Sequence, residues 1–369
     1  MTTKPLTIIG VTGTNGKTSC THFIADVLTQ LGKRVGLIGT LGSGIYGMPL
    51  VDTGLTTPGA PALQAQLAAF AEQGVEIVAM EVSSHGIAQD RIKGVSFAAG
   101  VFTNLTQDHL DYHGTMEAYA AVKYKFLASP MVEIAVVNEE DPYGQTWLPS
   151  LKAMKPVVTY SKKDARALTV PLIGSFNLSN AAAVFTTLCA LKEKLHLIPA
   201  EVAAALAQIK PVPGRMQTVG GGELPLVVID YSHTPDSLEK ALCALKPETR
   251  GKLWCVFGCG GDRDASKRPL MAQQVERFAD RVILTNDNPR TESPEAIAHD
   301  AMSGFVDKEK VEVILDRSQA IRHSIESADA ADVILLAGKG AEKYQQIGTE
   351  KRPFDDVVEA TRWLAVKNK

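Results

Sequence analysis

Lys17 and Thr18 end the run Thr12-Gly13-Thr14-Asn15-Gly16-Lys17-Thr18, an order of residue types suited to holding a nucleoside triphosphate. Glycines let the backbone fold around an anion with its N–H groups pointing inward. The lysine supplies a mobile cation for the outer phosphates, and the threonine hydroxyl can bind Mg2+ at a helix N-terminus. The spacing departs from G-x-x-x-x-G-K-[ST], because Val11 stands at the first glycine, so the working loop is Gly13-x-x-Gly16-Lys17-Thr18. Glu81 follows the apolar run Ile77-Val78-Ala79-Met80 and opens Glu81-Val82-Ser83-Ser84-His85-Gly86. Mg2+ takes few carboxylates alongside phosphate oxygens and water, so Thr18 and Glu81 together could hold one ion against ATP. The plainer alternatives are a Gly-rich turn with an incidental lysine and a surface glutamate after a strand. A strand before the loop and a helix after it argue against the first, and small polar neighbours weaken the second.

A second polar stretch runs from Phe102 through Thr103-Asn104-Leu105-Thr106-Gln107-Asp108-His109-Leu110-Asp111-Tyr112 to His113. Such crowding after a strand is rarely packing. Lys123 follows on a helix among Ala120, Ala121, Val122 and Tyr124, where by itself it reads as a lysine whose stem lies on apolar surface while its head reaches water. Further on, Asp230-Tyr231-Ser232-His233-Thr234-Pro235, Phe257-Gly258-Cys259-Gly260-Gly261-Asp262-Arg263-Asp264, Asp287-Asn288-Pro289-Arg290 and Gly338-Lys339-Gly340-Ala341-Glu342 each end a strand. Any one of them could be turn chemistry. Together they make a binding face, since parallel strands put all their C-terminal ends on one side.

The elements that must position these groups alternate. Strands are expected at Leu6 to Val11, Val35 to Ile38, Val75 to Met80, Ala98 to Phe102 and Ile134 to Val137. Helices are expected near Lys17 to Leu31, Pro61 to Glu72, Met116 to Leu127 and Asn177 to Lys192. This is an α/β pattern with a parallel sheet and crossover helices. Pro211-Val212-Pro213-Gly214 breaks it. The alternation then restarts with strands at Leu226 to Asp230, Leu253 to Phe257, Val282 to Thr285, Val311 to Leu315 and Val333 to Leu336. Two domains are expected, 1–212 and 213–369, as suits a chain of 369 residues.

A net charge of −3 with mixed signs argues against a nucleic-acid footprint and requires local cations to hold phosphorylated substrates. Five cysteines without a CxxC pair suggest reduced thiols in a cytoplasm. Met1-Thr2-Thr3-Lys4-Pro5 carries no apolar leader, and no apolar run reaches membrane-spanning length, so neither secretion nor a membrane is expected.

With Gly13 to Thr18, Glu81 to Gly86, Asp108 to His113, Asp230 to Pro235 and Asp287 to Arg290 in this order along nearly the whole chain, the sequence resembles the Mur ligase family, nearest its diaminopimelate-adding, MurE-like type. The resemblance implies a central P-loop ATPase-like domain and a Rossmann-like C-terminal domain that closes over it. It implies that Gly13, Thr14, Asn15, Gly16, Lys17, Thr18, Asn104, Asn177 and Asn180 bind ATP, and that Arg215 reaches the nucleotide across the domain junction. Phe176 stands where many members have His, and Gln217 where Glu is usual. Lys17, Glu81, His109 and Lys123 would be catalytic. Thr18, Glu81, His109 and Lys123 would hold two Mg2+ ions, with Lys123 carbamylated by CO2, which reverses the bland reading of that lysine. Carbamylation turns an ammonium into an anion able to bind cations, and it needs a neutral amine, a form that burial favours.

Thr56, Thr57, Ser83, Gln89 and Arg91 match residues that hold the muramoyl-dipeptide. Arg263, Asp287, Asn288, Arg290, Gly338 and Glu342 match the diaminopimelate pocket. A planar guanidinium at Arg290 can bind the distal carboxylate of diaminopimelate through two hydrogen bonds, a carboxylate that lysine lacks, and Glu342 would take the distal ammonium. Ala341 stands where this type often has His.

The implied reaction is ATP-dependent amide formation through an acyl phosphate, adding meso-diaminopimelate to a D-Glu-type carboxylate in peptidoglycan precursor synthesis. The phosphate loop lies close to Met1, so the domain that grips the UDP group is expected to be missing; the stretch from Thr159 to Gly174 is also short, leaving little room for the extra strands that family members carry there. A MurE-like ligase serving a free peptide or other carboxylate therefore stays open, as does a separate UDP-binding partner. A folylpolyglutamate-type ligase and a catalytically silent ATP-binding regulator are further alternatives. Asp287-Asn288-Pro289-Arg290 disfavours the former, and the set Lys17, Glu81, His109 and Lys123 the latter.

Overall fold

The computed structural model describes residues 5–165 and 168–368. The segment Met1-Thr2-Thr3-Lys4, where no leader is expected, lies outside the described residues, as does part of the short stretch before Gly174. The chain divides into two compact units: one holds the residues up to Thr106 together with His113–Lys210, the other Gln107–Tyr112 and the chain from Pro211 onward.

The first unit is built on seven strands, β1 (Thr7–Thr12), β2 (Val35–Gly39), β3 (Gly42–Ile45), β4 (Ile77–Glu81), β5 (Phe97–Phe102), β6 (Val132–Asn138) and β7 (Val157–Tyr160). Their order is β3-β2-β4-β1-β5-β6-β7. All neighbours are parallel except β3, which folds back antiparallel on β2, so the expected parallel sheet carries one antiparallel edge. Crossover helices explain the near-continuous apolarity of β4 and β5, every residue of which is buried. The core joins Ile38, Val78 and Met80 to Leu63, Phe70, Phe97, Phe126 and Trp147. Gly10 and Gly36 let it close, because a side-chain carbon there would come within 2.8 Å of the Phe97 and Phe70 rings respectively.

The second unit has β8 (Gln217–Gly220), β9 (Leu226–Asp230), β10 (Leu253–Phe257), β11 (Arg281–Leu284), β12 (Val311–Val313) and β13 (Val333–Ala337), in the order β12-β11-β10-β13-β9-β8. Only the edge strand β8 runs antiparallel. The four strands that carry polar loops, β9, β10, β11 and β13, are four adjacent parallel neighbours, so their loops converge at one edge. A hairpin, β14 (Tyr344–Ile347) with β15 (Glu350–Pro353), follows β13.

Cys20, Cys255 and Cys259 are buried, Cys189 is half-buried and Cys243 is exposed; none is in a disulfide. Burial pushes the Cys259 thiol up to about 12. A thiol so buried and so raised is inert. Among the described residues no helix is long and apolar enough to cross a membrane.

Candidate active site

In the first unit the loop between β1 and the helix Lys17–Gln30 is held from both sides. The Thr14 N–H donates to Asn104 O (2.8 Å) and the Asn15 N–H to Asn104 Oδ1 (3.0 Å), while Asn104 Nδ2 returns a bond to Asn15 O (3.0 Å). Gly16 caps the helix in the left-handed region (φ 88°) with no side-chain cap. A side-chain carbon there would come within 2.6 Å of Asn180 Oδ1, so glycine is required twice over. Asn180 Nδ2 in turn donates to Asn177 Oδ1 at 3.3 Å. Thus Asn104 and Asn180, distant in sequence, meet at the phosphate loop, and Asn177 joins them through Asn180. Lys17 Nζ donates to Gly13 O (3.0 Å) and Thr14 O (2.9 Å), and Lys123 Nζ also donates to Gly13 O (2.9 Å). Lys123 is 1% exposed, which rules out a head reaching water.

Glu81 is the last residue of β4 rather than a surface residue after it, and it too is 1% exposed. Its Oε1 accepts from Thr18 Oγ1 (3.0 Å) and the Thr40 N–H (2.8 Å), and its Oε2 from Thr40 Oγ1 (3.2 Å). Gly39 makes the room, since a side-chain carbon there would collide with Oε1. A buried carboxylate beside a threonine hydroxyl at a helix N-terminus is an all-oxygen donor set suited to Mg2+. Among the described residues there is no cluster of three or more His, Cys, Asp and Glu side chains that could cage a metal alone.

The residues matched to the dipeptide are contiguous with Glu81. Thr57 Oγ1 donates to Glu81 O (2.9 Å) and accepts from the Ser83 N–H and Ser83 Oγ (both 3.0 Å). Arg91 Nη1 donates to Thr57 O (2.8 Å), and Arg91 Nε to Gln89 Oε1 (3.0 Å). Thr56 Oγ1 lies 3.0 Å from Thr40 Oγ1.

In the second unit a cavity of about 180 Å³ is lined by Arg263, Asp287, Asn288, Arg290, Gly338 and Glu342, every residue matched to the amino-acid pocket, together with His109. Arg290 takes φ 51°, and its Nη1 donates to Gly261 O (2.7 Å). Its N–H donates to Gln346 O (3.1 Å), which fastens it to β14. Asn288 Nδ2 donates to Glu342 Oε2 at 2.9 Å. Gly338 (φ 112°) is required, because a side-chain carbon would come within 2.5 Å of Asp287 Oδ2.

His109 Nε2 lies 3.4 Å from Asp108 Oδ2. Asp108 also faces His233 Nε2 (3.7 Å) and Lys267 Nζ (3.5 Å). Burial pushes the Asp108 carboxyl up, but His233, Lys267 and His109 outweigh it and hold the group well below the usual carboxylate range. Arg215 lies against the Tyr231 ring (4.4 Å to the centroid), beside Gly340.

A model of the Mur ligase middle domain matches residues 11–169, and one of the Mur ligase glutamate ligase domain matches residues 214–340. UDP-N-acetylmuramoyl-L-alanyl-D-glutamate--2,6-diaminopimelate ligase of Pseudomonas aeruginosa is 46% identical, covering 98% of this chain and 78% of the relative. The chain belongs to the Mur ligase family.

The same-named ligase of Coxiella burnetii is 46% identical over 97% of this Mur ligase and 78% of the relative. A solved structure of a ligase of that name matches with a TM-score of 0.66 and 37% identity, covering 100% of this chain and 80% of that one. Folylpolyglutamate synthase of Mycobacterium tuberculosis, solved with ADP and AMPPCP, matches with a TM-score of 0.69 over 90% of this chain and 88% of that one; at 21% identity this shows the shared fold alone.

Two groups at the sites of this Mur ligase are given no role by the sequence. Thr40 follows β2 without a recognisable pattern, yet it binds both oxygens of Glu81. Lys339, fully buried, reaches Asn288 and Glu342 but reads in sequence as the middle of a Gly-Lys-Gly turn.

Proposed function

We propose that this Mur ligase joins diaminopimelate to the D-glutamyl carboxylate of UDP-N-acetylmuramoyl-L-alanyl-D-glutamate at the expense of ATP. The observation that carries the reading is the cavity that gathers Arg263, Arg290, Asp287 and Glu342: paired cations and anions suit the distal carboxylate and ammonium of a diamino diacid. The names of relatives 46% identical over nearly the whole chain support the same substrates.

In this reading the acceptor carboxylate is held beside Glu81 by Thr56, Thr57, Ser83, Gln89 and Arg91. Gly13 to Thr18, Asn104, Asn177 and Asn180 hold ATP, and Arg215 adds a further cation to the nucleotide. The carboxylate takes the γ-phosphoryl group to give an acyl phosphate. The amine of diaminopimelate attacks the acyl carbon, phosphate leaves and the nitrogen gives up a proton. The protein contributes alignment and charge neutralisation. Mg2+ held by Thr18 and Glu81, and a second ion held by His109 and a CO2-derived carbamate on Lys123, would offset the repulsion between carboxylate and triphosphate. Dependence on ATP and a UDP-linked substrate suits a cytoplasmic enzyme.

The test is a phosphate-release screen that crosses UDP-muramoyl-dipeptide, muramoyl-dipeptide and L-Ala-D-Glu with diaminopimelate and lysine. Release is expected with UDP-muramoyl-dipeptide and diaminopimelate. Activity with none of the pairs would overturn the substrate assignment, and preference for lysine would contradict the role of Arg290.

A further inference from the structure

Lys339 is fully buried two residues past the end of β13, and its ammonium has three oxygen neighbours from the amino-acid pocket. Nζ donates to Asn288 Oδ1 (3.1 Å) and Glu342 Oε2 (3.1 Å), and lies 3.7 Å from Asp287 Oδ1. The Tyr344 ring is a more distant neighbour, its centroid 5.8 Å away. Asn288 is thereby fixed in one orientation. Its Oδ1 takes Lys339 and the Gln346 N–H (2.8 Å), leaving Nδ2 for Glu342.

Charge decides what this cation does. Asp287 and Glu342 bring two negative charges to a pocket expected to receive a second carboxylate from the ligand. Of the other buried cations of this unit, Arg317 is committed to Asp356 through two hydrogen bonds of 2.8 and 2.7 Å, and Arg268 to Asp300 and Glu292 at 2.8 Å each. Lys267 faces Asp108. Arg263 and Arg290 line the cavity itself, whereas Lys339 is the buried cation bonded directly to Asn288 and Glu342 and facing Asp287.

Resting on the reading of this cavity as the diaminopimelate site, we infer that Lys339 is a positioning residue that sets specificity for an amino acid with a distal carboxylate. It acts through Asn288 and Glu342. Without it the cavity keeps its affinity for a distal ammonium and turns against a distal carboxylate, so preference moves from diaminopimelate toward lysine.

The experiment measures kcat/KM for diaminopimelate and for lysine by phosphate release, with UDP-muramoyl-dipeptide and ATP saturating, in the full chain and in Lys339→Met. The ratio is expected to fall by on the order of tenfold or more, with lysine-dependent release rising or appearing. A purely structural lesion lowers both values together. In Lys339→Met/Glu342→Gln the charge balance is restored. Both substrates lose the same ammonium partner, so the ratio is expected to recover even if each value falls. A Lys339→Met protein in which lysine does not gain on diaminopimelate, or a double variant whose ratio stays low, overturns the inference. Failure of the unsubstituted protein to use diaminopimelate overturns the reading of the cavity itself, and the inference with it.

Discussion

Lys17 and Lys123 donate to one and the same acceptor, the carbonyl oxygen of Gly13, at 3.0 and 2.9 Å. Two ammonium groups on one neutral oxygen repel each other, and the repulsion is relieved when a phosphate draws Lys17 away or when Lys123 becomes anionic. The arrangement gives separate signatures for the two lysines.

Lys123→Ala is expected to abolish ligation and to regain part of it when a short carboxylate such as acetate is added. Lys17→Ala is expected to lose ligation without such rescue. Phosphate release with and without acetate is the measurement; full activity of Lys123→Ala in the absence of acetate would sink the carbamate.

Glu81→Gln keeps the shape of the side chain and removes its charge. Thr18 and Thr40 can still donate to the amide oxygen, so the fold should hold while the Mg2+ requirement rises. Activity at fixed Mg2+ is expected to drop by roughly 10²- to 10³-fold. A Mg2+ titration that is unchanged from the parent protein would remove Glu81 from the metal site.

Arg317 and Asp356 form an ion pair in which both side chains are 0% exposed. Arg317 also donates to Asn286 O (3.3 Å) and Ala337 O (3.0 Å), the residues just before Asp287 and Gly338. Asp356→Leu leaves a buried charge without its partner and is expected to destabilise the second unit by about 3–5 kcal/mol. Arg317→Met/Asp356→Leu should cost less than the single change. Urea unfolding followed by tryptophan fluorescence reads the difference, since Trp254 and Trp363 belong to this unit.

Asp332 supplies the pH dependence. Burial pushes its carboxyl up, but the Lys252 N–H (2.7 Å), the Trp254 indole (2.9 Å) and the Asp329 N–H (3.1 Å) outweigh it and hold the group below its ordinary value. A carboxyl depressed by folding stabilises fully above its unfolded pKa of about 4, and that contribution is lost as pH falls through the folded value. Asp332→Asn is expected to lower stability at neutral pH and to flatten its acid decline. Melting temperatures from pH 7 to pH 3 test both effects; parallel curves for the two proteins would exclude Asp332 as a source of acid sensitivity.

The parts of this protein that were legible in sequence are those in which local pattern and tertiary role coincide. Gly13 to Thr18 and Glu81 announce themselves because strand, anion loop and carboxylate follow in order. The four polar loops of the second unit do so because each ends an apolar run. What escaped are elements defined by partners rather than by pattern. β3 is Gly-Ser-Gly-Ile and β15 is Glu-Lys-Arg-Pro, short runs with little apolar alternation, and pairing alone makes them strands. The helix Pro142–Met154 was obscured by Pro149 in its interior, a residue that ordinarily argues for a break. Lys339 stands inside one of those loops, yet its role follows from burial and partners, which the Gly-Lys-Gly pattern does not show.

The helix Lys17–Gln30 has an unbroken buried run from Thr18 to Leu28, including Thr21, His22 and Asp26. Its amides can meet solvent only through a large opening of the first unit, so they should be among the slowest to exchange with deuterium. The phosphate loop is thereby tethered to a slow-exchanging post, and nucleotide binding should register in hydrogen exchange at Gly13 to Gly16 with little change beyond Thr18.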